Sequence, residues 1–220
     1  MFHAEVVPRL RRLAGCAVPP AVLELKFTGI GESDFHQGID SLLAEIPGLE
    51  YGYCAHIGEV DLRLIGPPAA LAHGRAIALD HFRPFLISDD GASLEATVVR
   101  ILTDKRLVLA TAESCTGGLI ANRITDVPGA SAVFSHGFVT YANAAKTGVL
   151  GVAPADLASH GAVSEVVARQ MAAGALRVSG TATAFRVFHP RNRHDFKLAV
   201  SQAALEAVRR QLLGLSPKGS

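Results

Sequence analysis

A serine hydroxyl beside a glycine pair is the first feature of this sequence that could carry out chemistry. Residues 111–118 read TAESCTGG and follow an apolar stretch typical of a buried strand. Where such a strand passes into a helix, the first helical amides lack partners within the helix, and the helix dipole favours negative charge. Ser114 at this junction could attack a carbonyl carbon, while neighbouring amides receive the oxyanion. Gly117 and Gly118 would let a ligand approach the backbone closely.

A purely structural role for the same run stays open at this point. Serine and threonine are favoured N-cap residues, so Ser114 or Thr116 can simply satisfy free amides at the start of a helix. The run has neither the GxSxG elbow nor the spacing of a Walker motif. Taken alone, the eight residues indicate a strand-to-helix turn and favour the capping role.

Candidates for the base that a serine nucleophile needs lie in residues 137–146, which read GFVTYANAAK. Tyr141 stands at a predicted strand end, and Lys146 follows in the first turn of a predicted helix. A lysine can accept the serine proton if burial lowers its pKa by ~3 units from ~10.4, which corresponds to ~4 kcal/mol. Tyr141 could then relay a proton or hold the leaving amine. A surface lysine beside a packed tyrosine is the alternative, and position in the sequence alone favours it.

Two further polar groups have structural alternatives. Ser164 is predicted to cap the helix that follows it, with Glu165 in the first turn, and His160 is interpreted as structural. Before the last predicted helix stands a small basic cluster of Arg191, Arg193 and His194. This cluster is interpreted either as a phosphate site or as a solvated loop.

Composition excludes several classes of protein. The chain has 220 residues, of which 49% are hydrophobic and 19% charged, and a formal net charge of +1. This mixture indicates a globular α/β protein and argues against nucleic acid as the main ligand. The three cysteines, Cys16, Cys54 and Cys115, form no CxxC pair, so we expect neither a zinc site nor a disulfide framework, and a cytoplasmic location. No segment has the pattern of a signal peptide or a membrane span, so we expect no membrane partner.

Alternating strand and helix patterns predict an α/β (α+β) protein in two parts. Residues 1–20 are predicted to form an N-terminal helix and linker, residues 21–88 a small β-α-β-β-α domain, and residues 89–220 a larger three-layer α/β/α domain. In the small domain we predict a strand at 22–27, a helix through residue 43 capped by Ser33 or Asp34, a hairpin of 49–56 and 60–65, and a helix at 69–82. In the larger domain we predict helices at 94–102, from 116 to about 128, at 164–178 and at 195–213, with strands at 107–111, 137–141 and 183–188.

Residues 110–174 resemble a known family across many ordered motifs. The run TAESCTGGLIANRITDVPGASAVFSHGFVTYANAAKTGVLGV, followed by HGAVSE, is similar to the nicotinamide-nucleotide amidase domain at the C-terminus of CinA proteins. Upstream, FTGIGESDF and AHIGEVDLRL resemble the small, KH-like middle domain of the same family. The opening MFHAEVVPRL resembles the end of the family's first domain.

This resemblance implies hydrolysis of the carboxamide of nicotinamide mononucleotide to nicotinate mononucleotide and ammonia, without a cofactor or metal. It implies that Ser114 is the nucleophile and that Tyr141 and Lys146 activate it. The implied substrate-binding residues are Glu113, Thr116, Gly117, Gly118, Asn143 and Arg193. A homo-oligomer is also expected, because related proteins commonly self-associate.

Two departures from the family pattern open alternatives. The family's metal-dependent pyrophosphatase chemistry belongs to its first domain, so that activity is not expected here. The glycine-rich loop of the TGIAGP type, which follows the helix after Ser164 in the family, has no counterpart between Ser179 and Thr181. This supports a second hypothesis, a catalytically impaired nucleotide-binding or regulatory protein. A third, an RNA- or protein-interaction module at residues 21–86, lacks the GxxG clamp and the aromatic platform that RNA binding would need.

Overall fold

The computed structural model describes residues 5–9, 20–180 and 193–216, with side chains from residue 196 onward in the last range. Its strands are β1 (Ala21–Thr28), β2 (Glu50–His56), β3 (Glu59–Gly66), β4 (Leu86–Ser88), β5 (Leu109–Glu113) and β6 (Phe134–Val139). Its helices are α1 (Glu32–Gly38), α2 (Asp40–Ala44), α3 (Pro68–Phe82), α4 (Leu94–Lys105), α5 (Leu119–Thr125), α6 (Asn143–Leu150), α7 (Pro154–His160), α8 (Glu165–Ser179) and α9 (Arg193–Leu212). The predicted strand at 183–188, most of the predicted N-terminal helix, Cys16, Arg191 and the side chains of Arg193 and His194 lie outside the described residues.

An antiparallel sheet with strand order β2-β3-β1-β4 forms the first part of the structure. Strand β3 alternates buried Val60, Leu62 and Leu64 with more exposed Asp61 and Arg63, which is the period-2 pattern of a strand with one buried face. The buried face packs against α1, α2 and α3. The predicted hairpin is confirmed, because β2 and β3 pair from Glu50–Ile65 to His56–Glu59 around the turn at Gly58.

The predicted helix through residue 43 differs from the structure in two details. It is interrupted at Ile39, whose φ of −135° is not helical, so α1 and α2 are separate short helices. The N-cap of α1 is Gly31 and not Ser33 or Asp34. Asp34 instead lies inside the first turn, where its carboxylate accepts a hydrogen bond from the Gly31 amide at 2.7 Å. The acid therefore stabilises the helix start without being the cap.

The second part contains a parallel pair of strands, β5 and β6, between two layers of helices. On one face Leu109 and Phe134 pack with α4, α5 and α9. On the other face Ala112 and Phe138 pack with α6, α7 and α8. This arrangement matches the predicted α/β class, and among the described residues the sheet has two strands.

Helix α9 connects the two parts of the molecule. Arg209 is almost completely buried and donates to the carbonyl oxygens of Leu86 and Pro84 at 2.8 and 2.9 Å, while Glu206 balances its charge. About two turns earlier in the same helix, Gln202 donates to Glu59 in β3 at 2.6 Å. The division into domains at residue 88 stays a prediction, since one helix contacts both parts.

Helices α6 and α8 cross with their backbones in direct contact. Gly174 in α8 faces the last turn of α6, and a β-carbon at this position would overlap the carbonyl oxygen of Leu150. The same oxygen accepts a hydrogen bond from Arg177 at 2.9 Å. The close approach therefore requires a glycine and fixes the position of α6 against α8.

Within the described ranges, every helix is too short or too polar to cross a lipid bilayer.

Candidate active site

The candidate site lies where β5 and β6 end side by side. Glu113 pairs with Val139 in the last register position of the two strands, and the Thr140 amide continues the ladder by donating to the Glu113 carbonyl at 2.9 Å. Because the strands are parallel, the turns that follow them emerge at the same edge. The Ser114 turn (residues 114–118) and the first turn of α6 are thus neighbours.

The Ser114 turn has a conformation that requires its glycines. Gly117 donates to the Ser114 carbonyl at 3.0 Å and has a φ of +65°, and Gly118 has a φ of +96°. Both values lie in the region that residues with a β-carbon adopt with strain. Ser114 is half-buried, whereas Thr116 is packed beneath the turn.

Glu113 holds the start of α5. Its carboxylate is buried and accepts hydrogen bonds from the amides of Gly118, Ile120 and Ala121 at 3.0, 3.1 and 2.9 Å. These are the amides that would otherwise lack partners at the helix start. The geometry supports a structural role for Glu113, and the substrate contact that the resemblance implies for it stays a prediction.

The amides available for an oxyanion are therefore not those of α5. Within the described ranges, the backbone amides of Cys115 and Thr116 donate no hydrogen bond, and both belong to the Ser114 turn. An amide that points into the site without an acceptor can stabilise negative charge on a substrate oxygen. The sequence pattern predicts helix amides in this role, whereas the free amides in the structure lie in the turn before the helix.

Lys146 is buried, which excludes the surface-lysine alternative. Only 1% of the residue is exposed, and its Nζ donates to the carbonyl oxygens of Thr140 and Tyr141, both at 2.9 Å. Burial lowers the pKa of Lys146, and the nearby Cys115 thiol opposes this shift. The Thr140 that accepts from this amine donates its own amide to Glu113, the residue before Ser114, so the amine lies near the Ser114 turn. Ser114 and Lys146 form no hydrogen bond with each other.

The catalytic role of the Tyr141 side chain stays a prediction. Its side chain is 63% exposed, and its backbone carbonyl is the group that contacts Lys146. Asn143 begins α6 and is exposed at the same edge. Beside them, the buried hydroxyl of Thr140 has no hydrogen-bond partner among the described residues. Sequence reasoning missed Thr140, although its place before Tyr141 at a strand end was a usable signal.

A second residue that sequence reasoning missed is Lys197 in α9. A β-carbon built on Gly117 would lie 3.4 Å from Lys197 Nζ, so this amine reaches the Ser114 turn. Arg193, which the sequence assigns to substrate binding, begins the same helix, but its side chain is outside the described residues.

Other parts of the described structure offer weaker candidates for a functional site. An open groove of about 510 Å³ in the first part of the molecule is lined by Ile30, Asp34, Gln37, Gly38, His81, Phe82 and Phe85, which places it away from the Ser114 turn. Across the described residues, no three His, Cys, Asp or Glu side chains are grouped so that they could hold a metal ion.

Comparison with known proteins identifies similar sequences. The family model of the CinA C-terminal domain matches residues 91–187. A CinA-like protein of Akkermansia muciniphila is 43% identical over 242 positions, which include 94% of this chain and 58% of that protein. A putative competence-damage inducible protein of Symbiobacterium thermophilum is 44% identical over 195 positions, with 85% and 46% covered.

The chain spans about half the length of these curated relatives. The alignment with the Akkermansia protein is longer than the 220 residues of this chain, so that relative carries residues without a counterpart here. Among solved structures, a CinA superfamily protein from Klebsiella pneumoniae is similar with a TM-score of 0.51 and 25% identity, covering 55% of this chain and 96% of that one.

Proposed function

The chain belongs to the CinA family, and we propose that its second half hydrolyses the carboxamide of nicotinamide mononucleotide. The observation that carries this proposal is the buried amine of Lys146 near the Ser114 turn, which has no acidic partner among the described residues. A lysine in such surroundings loses its proton more easily and can serve as a base.

The proposed reaction uses three groups of the site. Neutral Lys146 accepts the proton of the Ser114 hydroxyl while the serine oxygen bonds to the carboxamide carbon. The amides of Cys115 and Thr116 stabilise the oxyanion that forms. The ammonium of Lys146 then returns the proton to the departing nitrogen, and ammonia leaves as the carbon–nitrogen bond breaks.

An ester between Ser114 and the nicotinate group remains after this first step. Water attacks its carbonyl carbon, and Lys146 accepts the proton of that water. The carbon–oxygen bond to the serine breaks, the serine oxygen regains a proton, and nicotinate mononucleotide is released. The same base therefore serves both halves of the reaction.

The test is ammonia release from nicotinamide mononucleotide by the purified chain. We expect turnover by the wild type and none above background by Ser114→Ala. Ser131→Ala removes an exposed hydroxyl in the turn before β6 and should leave turnover unchanged. Turnover that persists in Ser114→Ala would exclude Ser114 as the nucleophile.

A second function is supported by the residues of the Akkermansia relative that have no counterpart here. If they include the glycine-rich loop of the family, the chain would bind the nucleotide without hydrolysing it. Calorimetric binding of nicotinamide mononucleotide by wild type that releases no ammonia would favour this second function over the first.

We also propose that the protein acts in NAD salvage, in the cytoplasm and as a homo-oligomer. Cys54 and Cys115 are free thiols and both are exposed, which is consistent with a reducing compartment. Light scattering coupled to size-exclusion chromatography would measure the oligomeric state, and a monomeric mass would refute that part of the proposal.

A further inference from the structure

Lys197 lies beside the Ser114 turn because α9 is fixed to α5. Arg123 in α5 donates to the Ser201 hydroxyl at 3.0 Å and to the Gln202 side chain at 2.9 Å. Lys197 stands one helical turn before Ser201, so the two residues share a face of α9. On this face Lys197 lies next to Gly117, in the turn before α5.

The amine of Lys197 is available for a ligand. The side chain is exposed, and no acidic side chain in the described part of the chain pairs with it. By contrast, the charge of Arg123, on the neighbouring helix, is already balanced by Glu95 at 2.8 Å. Lys146, the other amine near the turn, is occupied by two backbone carbonyls.

An anionic substrate at this site needs a cation that the backbone does not supply. Glu113 occupies three amides at the start of α5 and adds a negative charge of its own. A phosphate near this carboxylate would be repelled unless a positive group lay closer to it. Lys197 is positioned to provide that group, because its Nζ lies 3.4 Å from the place that a β-carbon on Gly117 would take.

We propose that Lys197 binds the phosphate of the substrate and makes the site select a nucleotide over the corresponding nucleoside. This inference rests on the proposed amidase function, since it assumes that the carboxamide lies at Ser114. The turn between Ser114 and Gly117 then separates the reacting end of the substrate from its charged end. Lys197 is a specificity-determining residue in this scheme and takes no part in bond breaking.

The experiment measures binding by calorimetry in a Ser114→Ala background, so that bound ligand is not consumed. The ligands are nicotinamide mononucleotide and nicotinamide riboside, which lacks the phosphate. We expect Lys197→Ala to weaken binding of the mononucleotide by roughly 10- to 100-fold, the range for a lost hydrogen bond to a charged group. Binding of the riboside should stay unchanged, and Lys197→Arg should restore most of the lost affinity.

Lys105→Ala is the matched control. Lys105 is also exposed but ends α4, before β5 begins, and therefore lies at the opposite end of that strand from the site. This variant loses the same charge and should bind both ligands like the parent protein. Equal weakening of both ligands by Lys197→Ala, or no weakening of the mononucleotide, would overturn the inference.

Turnover assays separate this inference from the proposed function. With Ser114 intact, Lys197→Ala should raise KM for the mononucleotide while kcat stays within about threefold, as expected for lost ground-state binding. Selective loss of mononucleotide binding without any ammonia release by wild type would support Lys197 and refute the amidase. Ammonia release with an unchanged KM in Lys197→Ala would support the amidase and refute Lys197.

Discussion

Each part of the molecule has a lysine whose amine is largely removed from solvent, and the two amines are stabilised in opposite ways. In the first sheet, the side chain of Lys26 is 17% exposed and its Nζ lies 2.9 Å from Asp61 and 3.1 Å from Glu24. Burial alone would lower its pKa, but the two carboxylates outweigh burial and the net pKa is raised. Among the described residues, the partners of the Lys146 amine in the second part are two carbonyl oxygens, and burial leaves its pKa lowered.

The difference shows how one side chain acquires two roles. An ion pair such as that of Lys26 holds the charge permanently and contributes modestly to stability. A buried amine without a counter-ion costs free energy, and proteins retain such groups mainly where function requires them. A contribution to stability therefore does not explain why Lys146 lies near the Ser114 hydroxyl, whereas a role in catalysis does.

The largest expected difference between the two lysines is in their effect on kcat. Lys146→Met keeps the length of the side chain but removes the base, so kcat should fall by roughly 10²- to 10⁴-fold. Lys26→Met should leave kcat within about twofold of wild type, since its partners are remote from the site. Steady-state ammonia release measures both, and circular dichroism checks folding. Equal losses in the two variants would remove the distinction between the two lysines.

The pH dependence of catalysis should follow Lys146 alone. Its neutral form is required, so kcat/KM should rise about tenfold per pH unit until the pKa of Lys146 in the free enzyme is reached. Because burial lowers that pKa, the plateau should begin below the ordinary lysine value of ~10.4. A rate profile that rises up to that ordinary value would contradict the proposed shift.

The pH dependence of stability should have opposite signs for the two lysines. For Lys146 the unfolded chain binds more protons than the folded one between the lowered pKa and ~10.4, so the free energy of unfolding rises with pH there, by up to ~1.4 kcal/mol per unit. For Lys26 the contribution is complete below ~10.4 and is lost as pH rises through its raised pKa. Urea titrations of each Met variant against wild type, from pH 7 to 11, measure the two slopes. Slopes of the same sign would break the comparison.

A third contrast concerns two acids that hold helix starts. Glu113→Gln removes the charge of a buried carboxylate that accepts three amide hydrogen bonds. We expect the free energy of unfolding to fall by about 2–3 kcal/mol. Asp34→Asn alters one exposed contact and should cost less than about 1 kcal/mol. Chemical denaturation compares the two variants. Similar losses would mean that burial does not distinguish the two acids.

The smallest expected effect is that of Tyr141→Phe. The side chain is mostly exposed, so the free energy of unfolding should change by less than about 0.5 kcal/mol. A relay role for the hydroxyl would lower kcat, but by less than about tenfold, because the Tyr141 carbonyl that holds Lys146 is retained. A loss as large as that of Lys146→Met would instead make the hydroxyl an essential proton carrier.

Most elements could be predicted because their patterns are local. The alternation in β3, the Ser164 cap and the turn at Gly58 depend on residues close together in the sequence. The predicted strand at 107–111 is shifted from the observed β5. Leu107 and Val108 are apolar but exposed and precede the strand, which runs on to Glu113.

The site was predictable in its residue types and less so in their surroundings. The burial of Lys146 depends on tertiary packing, which no pattern near residue 146 reveals. Lys197 approaches Gly117 from a helix about 80 positions later in the chain, so its role depends on tertiary packing. The exact partners of Glu113 likewise follow from the turn conformation that Gly117 and Gly118 permit.

The crossing at Gly174 extends the influence of the active site well beyond its own surface. Lys146 and Leu150 are one helical turn apart on α6, so anything that pushes Leu150 away also displaces the amine. Gly174→Ala would do so without touching a substrate atom. A genetic screen for inactive proteins should therefore recover substitutions at Gly174 as well as at Ser114. In a map of mutational tolerance, the helix crossing would be a second region that tolerates few substitutions.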